Sequence, residues 1–316
     1  RLPQCTHCIL GKSKRYPLNR NRVTPFHRAP RPGHSIHGNS VGPFSIATKG
    51  GNRHLLCHVD GNSHFIFGVM RKSNLEYHTI FSDLVKHIET DLGKQGVVAQ
   101  LITDSHSMHL DSHALQHYCR SKGIVQRFSP PYTQALNSIV ERNIGTVIEM
   151  ARTMLIESGV PRYFYGEAMM YAIYIINRLP RRAGEQYTRL ELWKGQVMPN
   201  CHKHIRTFGC AAYVHQVHKT GPHVDKLAPK SKLHILLGID EHRQCYKLAS
   251  IPTLKYVWSA HVTFVETPSP SLRRGEIDID FVTSMAILAL FSVLCASLTW
   301  SITSSFPISS STLRPI

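Results

Sequence analysis

Between Ile36 and Leu179 the sequence alternates short β-rich runs with longer runs whose apolar residues recur at helical spacing, and this alternation constrains the fold more than any other feature. His54–Asp60 and His64–Met70 are β-rich and flank Gly61-Asn62, a hairpin signal. Leu75–Leu92 places Leu75, Ile80, Phe81, Leu84, Val85, Ile88 and Leu92 on one helical face and stops at Gly93. Val97–Ile102 is an apolar strand that runs into Thr103-Asp104; a helix over Ser112–Lys122 and a strand over Ile124–Phe128 follow, before the Pro130-Pro131 break. Asn137–Ser158 is a long amphipathic helix, and Tyr163–Leu179 is its partner. The order strand, helix, strand, helix predicts an α/β core with a mixed sheet flanked by helices.

The flanking segments differ in texture. Residues 1–32 are basic and rich in proline and arginine, and read as a module remnant followed by an extended linker. The core is assigned to 33–185. After a polar connector, short strand-like runs (Phe208–Val214, Leu233–Leu237, Tyr246–Leu248, His261–Val265) predict a small β domain within 186–270. Residues 271–316 form a hydrophobic tail, in which 281–303 is uncharged and long enough to span a bilayer. That stretch is read either as a membrane anchor or as translation past the end of a degenerate element.

Charge points to a partner. The chain carries 37 Lys+Arg against 20 Asp+Glu, a net +17, and ten Lys/Arg precede the first carboxylate, Asp60. A basic surface of this kind fits a polyanion, and the composition is that of a folded chain. Eight cysteines are too few for a disulfide scaffold, so a reducing intracellular setting, nucleus or cytoplasm, is expected, with membrane attachment only through the tail. The chain opens on Arg1 in mid-motif, which reads as a segment of a longer polyprotein.

Two carboxylates stand where chemistry is often placed. Asp104 ends an apolar strand and Glu141 lies in the first turn of the long helix. Together they suit a hard divalent cation that keeps several waters and binds phosphate oxygens. Structural readings compete: Ser138-x-x-Glu141 is a capping-box pattern, and Asp104-Ser105 fits a turn or helix cap.

Collinear motifs add a family resemblance. Cys5-Thr-His-Cys8, Gly42-Pro43, Thr103-Asp104, Gly123-Ile124, Ser129-Pro-Pro-Tyr-Thr133, Val140-Glu141-Arg142, Ala151-Arg-Thr-Met-Leu155, Ile176-Asn-Arg178, Phe208-Gly-Cys210, Lys226-Leu227 and Leu237-Gly238 stand in order along residues 5 to about 266. The series resembles the integrase region of copia-type LTR retrotransposon Pol polyproteins. The resemblance implies a ribonuclease H-like core followed by the small β domain. It also implies DNA as partner at element ends and at non-specific targets, homo-oligomerisation, and two Mg²⁺ or Mn²⁺ ions held by two Asp and one Glu for polynucleotidyl transfer. The second Asp falls on Asp104 and the Glu on Glu141, whereas the first Asp falls on Asn39.

An amide at position 39 removes one negative charge from the cation site, so impaired catalysis is expected. Asp60 is the nearest carboxylate in sequence, but the resemblance matches it to a different Asp, on the following strand, so it is not expected to substitute. Ser105, His106, Ser107 and Met108 replace an Asn-Gly-Gly-Glu-like run, Gln134 an expected Pro and Ser138 an expected Gly. Cys5 and Cys8 supply half of a Zn²⁺ site whose two His ligands the resemblance places upstream of Arg1. Lys12, Lys14, Arg15, Arg20, Arg22 and Arg142 are the candidate DNA-phosphate contacts. The alternative function is a catalytically inactive nucleic-acid-binding protein derived from a transposon and tethered to a membrane by 281–303.

Overall fold

In a computed structural model of the chain, the structure describes residues 7, 29–73, 77–104, 113–129, 138–182, 184–216 and 227–266. Strands β1 (Ser35–Val41), β2 (His54–Asp60) and β3 (Ile66–Arg71) form an antiparallel meander. Strand β4 (Gln100–Asp104) lies parallel to β1, and β5 (Val125–Ser129) lies parallel to β4. The sheet order β3-β2-β1-β4-β5 is that of a ribonuclease H-like core, with the oppositely directed β2 beside the central β1.

Helices cover the two faces of this sheet. Helix α1 (Tyr77–Leu92) buries Tyr77, Ile80, Phe81, Val85 and Ile88, at the i, i+3, i+4 helical spacing that keeps them on one stripe. Leu92 is followed by Gly93 at φ 63°, the left-handed residue that lets the chain leave the helix. With α2 (His113–Ser121), α1 packs on the face carrying Ile36, Leu56 and Leu101. Each such fully buried side chain contributes about 1.5–3 kcal/mol. On the opposite face lie α3 (Ser138–Ser158), against β1 and β2, and α4 (Tyr165–Asn177), against β3.

A second sheet is wholly antiparallel, in the order β10-β6-β7-β8-β9, from β6 (Ala211–His215), β7 (Ser231–Asp240), β8 (Cys245–Ser250), β9 (Tyr256–Ser259) and β10 (Val262–Val265). It packs on α4, whose apolar residues run almost all the way round because both flanks are covered. Tyr171 fixes the junction: its hydroxyl donates to the Arg206 carbonyl at 2.6 Å and accepts the Arg206 N–H at 3.0 Å. The Glu167 carboxylate accepts from Tyr256 at 2.6 Å and pairs with Lys247 at 3.1 Å.

Several elements depart from the sequence expectation. The polar connector contains a helix, α5 (Arg189–Lys194), whose Trp193 is 1% exposed and belongs to the core cluster. Trp193 stacks on Phe65 at 5.5 Å and donates to Asp91 at 2.5 Å. The expected Tyr163–Leu179 helix is a short 3-10 turn, Arg162–Phe164, followed by α4. The central strand β1 and the strand β9 were not read from periodicity. No helix among the described residues is long and apolar enough to cross a membrane, and the 281–303 stretch lies outside them.

Candidate active site

Parallel pairing of β1 with β4 builds the candidate site. Gly38 pairs with Thr103, so continuing the register by one residue sets Asn39 beside Asp104. Asp104 in turn pairs with Ser129 of β5. Since a strand alternates between faces, positions 39, 104 and 129 fall on one face of the sheet. Gly38 belongs to the other: a Cβ there would sit 2.9 Å from the Tyr77 hydroxyl and 3.1 Å from the His58 ring, on the α1 side. Asn39 therefore faces the side on which α3 carries Glu141.

Asn39 is half-buried, and its Oδ1 accepts the N–H of Ser40 at 2.7 Å. Glu141 is exposed in the first turn of α3, the positive end of the helix dipole. Ser138 meets the guanidinium of Arg142, whose Nε donates to its carbonyl at 3.0 Å and whose Nη2 lies 3.5 Å from its hydroxyl. Arg142, a candidate phosphate contact, is thus folded back on its own helix. Among the described residues no hydrogen bond engages the Glu141 carboxylate, which remains available to a ligand.

Two buried groups hold this arrangement from behind. His58 Nε2 and the Tyr77 hydroxyl lie 2.8 Å apart, and burial pushes the His58 imidazole down to about 4, so it is neutral at physiological pH. On the α3 side, Arg189 donates to Asn143 Oδ1 at 2.6 Å and to the His64 carbonyl at 3.1 Å, tying the start of α3 to the β2–β3 turn. Burial lowers the Arg189 guanidinium to about 10, which leaves it cationic. Sequence reading missed Gly38, His58, Tyr77 and Arg189; Gly38, directly before the candidate position, was the one visible signal.

Asp60 cannot stand in for a carboxylate at position 39. It pairs with Ile36, three residues along β1 and on the opposite face. It is 0% exposed, and its carboxylate accepts from Gly33 N at 2.8 Å, Asn62 N at 3.1 Å, Ser63 N at 2.6 Å and Ser63 Oγ at 2.7 Å. Burial raises its pKa against the opposing pull of these donors. Asp60 is a structural hub that joins the entry to β1 to the β2–β3 turn.

The donor set at positions 39, 104 and 141 holds two carboxylates and one amide whose oxygen already accepts a backbone N–H. Such a set fits one hard cation with water and phosphate oxygens completing its shell, not the two ions that three carboxylates would neutralise. Among the described residues no cluster of three or more His, Cys, Asp or Glu is arranged to hold a metal. Cys5 and Cys8, the half zinc site, lie outside the described residues, as do Lys12, Lys14, Arg15, Arg20 and Arg22. His7 is described and pairs with Glu157. A cavity of about 830 Å³ that neither Asp104 nor Glu141 lines runs along β3 and is lined also by α1, α4 and the β7–β8 turn.

The chain is similar to several known proteins. Residues 210–276 match the family described as Retroviral polymerase SH3-like domain, which covers the second sheet. The chain is 26% identical over 263 residues to the retrovirus-related Pol polyprotein from transposon TNT 1-94 of Nicotiana tabacum, a match covering 83% of this chain and 19% of that protein. It is 28% identical over 274 residues to the Pol polyprotein from transposon RE2 of Arabidopsis thaliana, covering 85% of this chain and 18% of the relative. It thus spans about a fifth of the length of the curated relatives it matches. Among solved structures, the HTLV-2 integrase catalytic core domain in complex with magnesium aligns with TM-score 0.39 and 20% identity, over 52% of this chain and 99% of that one. The chain is a homologue of the retrovirus-related Pol polyproteins known from plant copia-type transposons and carries one stretch of them.

Proposed function

We propose that this chain is an integrase-type DNA-handling module in which the loss of one carboxylate, at Asn39, has weakened catalysis while DNA binding persists. The observation that supports the reading is the β1–β4 register, which, carried one residue past the Gly38–Thr103 pair, brings position 39 level with position 104, while α3, the helix of Glu141, packs on β1 and β2. Homology to the transposon Pol polyproteins and the ribonuclease H-like sheet order support it. In this reading residues 33–185 form the transferase-type core, and 186–270 form the connector and SH3-like sheet. DNA is the partner and copies of the chain assemble on it.

Asp104 and Glu141 would hold Mg²⁺ or Mn²⁺, and Asn39 would add at most a neutral carbonyl oxygen. A bound cation supplies Lewis-acid polarisation of a phosphodiester and a lower pKa for an attacking hydroxyl or water. The chain's own contribution is positional. The sheet fixes two donors one strand apart, and α3, pinned by Arg189, presents the third. In the transfer itself a P–O bond forms to the attacking oxygen as the bond to the leaving 3′ oxygen breaks.

The test is strand transfer with a labelled duplex DNA in Mg²⁺ and in Mn²⁺. The parent is expected to be nearly silent, Asn39→Asp to gain activity, and Asn39→Asp with Glu141→Gln to lose it again. Full activity in the parent would refute the impairment.

A further inference from the structure

Beyond the three candidate positions, one strand residue on the same face is cationic. Read from the register, the described strand residues of that face are alternate ones along each strand, running through Asn39 on β1, Cys57 on β2, Gly68 on β3, Ile102 on β4 and Arg127 on β5. Arg127 is the sole Lys or Arg among them. It pairs with Ile102 in the row next to that of Asp104 and Ser129. With strands about 4.8 Å apart and about 3.3 Å per residue, its Cα lies about 8 Å from that of Asp104, within the reach of an arginine side chain.

Among the described residues, this end of the face is open. Helices α3 and α4 cover β1, β2 and β3, whereas on β5 Val125 is 54% exposed and Arg127 is exposed. Among the described residues Arg127 has no carboxylate or carbonyl partner, in contrast to Arg142, held by Ser138, and Arg189, held by Asn143 and His64. A lone arginine on a solvated helix needs no explanation. An unpaired one at a sheet edge, on the face and at the end of the sheet where the candidate carboxylates stand, does.

We propose that Arg127 is a phosphodiester-binding residue that grips the strand next to the phosphate presented to Asp104 and Glu141. The inference rests on the DNA-handling reading above and deepens it. A guanidinium offers paired N–H donors to phosphate oxygens, and its charge offsets part of the repulsion between the DNA backbone and the two carboxylates. Arg127 is a binding residue and takes no part in bond making, so its role survives whether or not catalysis does.

The test is fluorescence anisotropy of the full chain with labelled duplex DNAs of two unrelated sequences over a series of salt concentrations. Each phosphate contact contributes about 0.9 to the slope of log K against log salt, so Arg127→Gln should lower the slope by about 1 on both sequences. Arg127→Lys should keep it, and Lys86→Ala, on the α1 side, should leave it unchanged. Parent-like slope in a folded Arg127→Gln protein, checked by circular dichroism, overturns the assignment and leaves the DNA-handling reading standing. Absence of salt-dependent DNA binding by the parent overturns both.

Discussion

Gly38 pairs with Thr103 across the parallel β1–β4 junction, and the same register carried one residue further brings position 39 level with position 104. Two side chains on one face of adjacent strands lie about 5 Å apart at their Cβ atoms. A carboxylate at both positions would repel, and an amide at one of them does not. The consequence is measurable without any DNA. Asn39→Asp should be less stable than the parent by about 1–3 kcal/mol in EDTA. It should recover that loss in millimolar Mg²⁺, whereas the parent's Tm should move little. Equal Mg²⁺ responses would mean that position 39 does not face the cation site.

Asp60→Asn exchanges one carboxylate oxygen for an NH₂ group and turns it against N–H and O–H donors of Ser63, Asn62 or Gly33. A cost of about 2–4 kcal/mol is expected in urea unfolding, because several buried donors lose their acceptor together. A loss below about 0.5 kcal/mol would show that the hub does not order the β2–β3 turn.

His58 gives the fold a pH dependence of known sign. Its pKa is near 4 in the folded chain against an ordinary 6.5, so between these values the unfolded chain binds the extra proton. The contribution of the neutral imidazole is fully present above about pH 6.5 and is lost as pH falls towards 4, with about 2 kcal/mol gone by pH 5. Tm against pH should fall less steeply in His58→Gln than in the parent. Parallel profiles would contradict the assignment.

Helix α5 should be a small but separable stabiliser. Thr188 and Glu191 form a capping box, with the Glu191 N–H donating to Thr188 Oγ1 at 3.2 Å and Glu191 accepting the Thr188 N–H at 2.8 Å. Thr188→Ala should cost about 1 kcal/mol, and Trp193→Ala, which removes the stack on Phe65 and the edge contact with Phe67, about 3–5 kcal/mol in thermal unfolding. Similar losses for both would mean that the cap alone anchors the segment.

Much of this architecture was legible in the sequence, and the failures share a cause. Helices α1 and α3 were readable because each buries a single apolar stripe, and β2 and β4 because they carry consecutive apolar residues. Strand β1, Ser-Ile-His-Gly-Asn-Ser-Val, was not, because the two central positions facing α1 and the site are a glycine and an asparagine chosen by tertiary contacts. Helix α5 has only six residues, too few for periodicity, though Thr188-x-x-Glu191 and the left-handed Gly195 mark its ends. In the candidate site, Asp104 and Glu141 are proposed from the motifs. Their supporting groups, His58, Tyr77 and Arg189, come from distant segments and leave no local pattern.

Strand transfer by Asn39→Asp is the most direct test of the central claim, that this face is a transferase site disabled at one position. With labelled duplex DNA and Mn²⁺, Asn39→Asp should yield transfer products at least tenfold above the parent, and adding Glu141→Gln should abolish them. A parent as active as Asn39→Asp, or Asn39→Asp activity that survives Glu141→Gln, would contradict it.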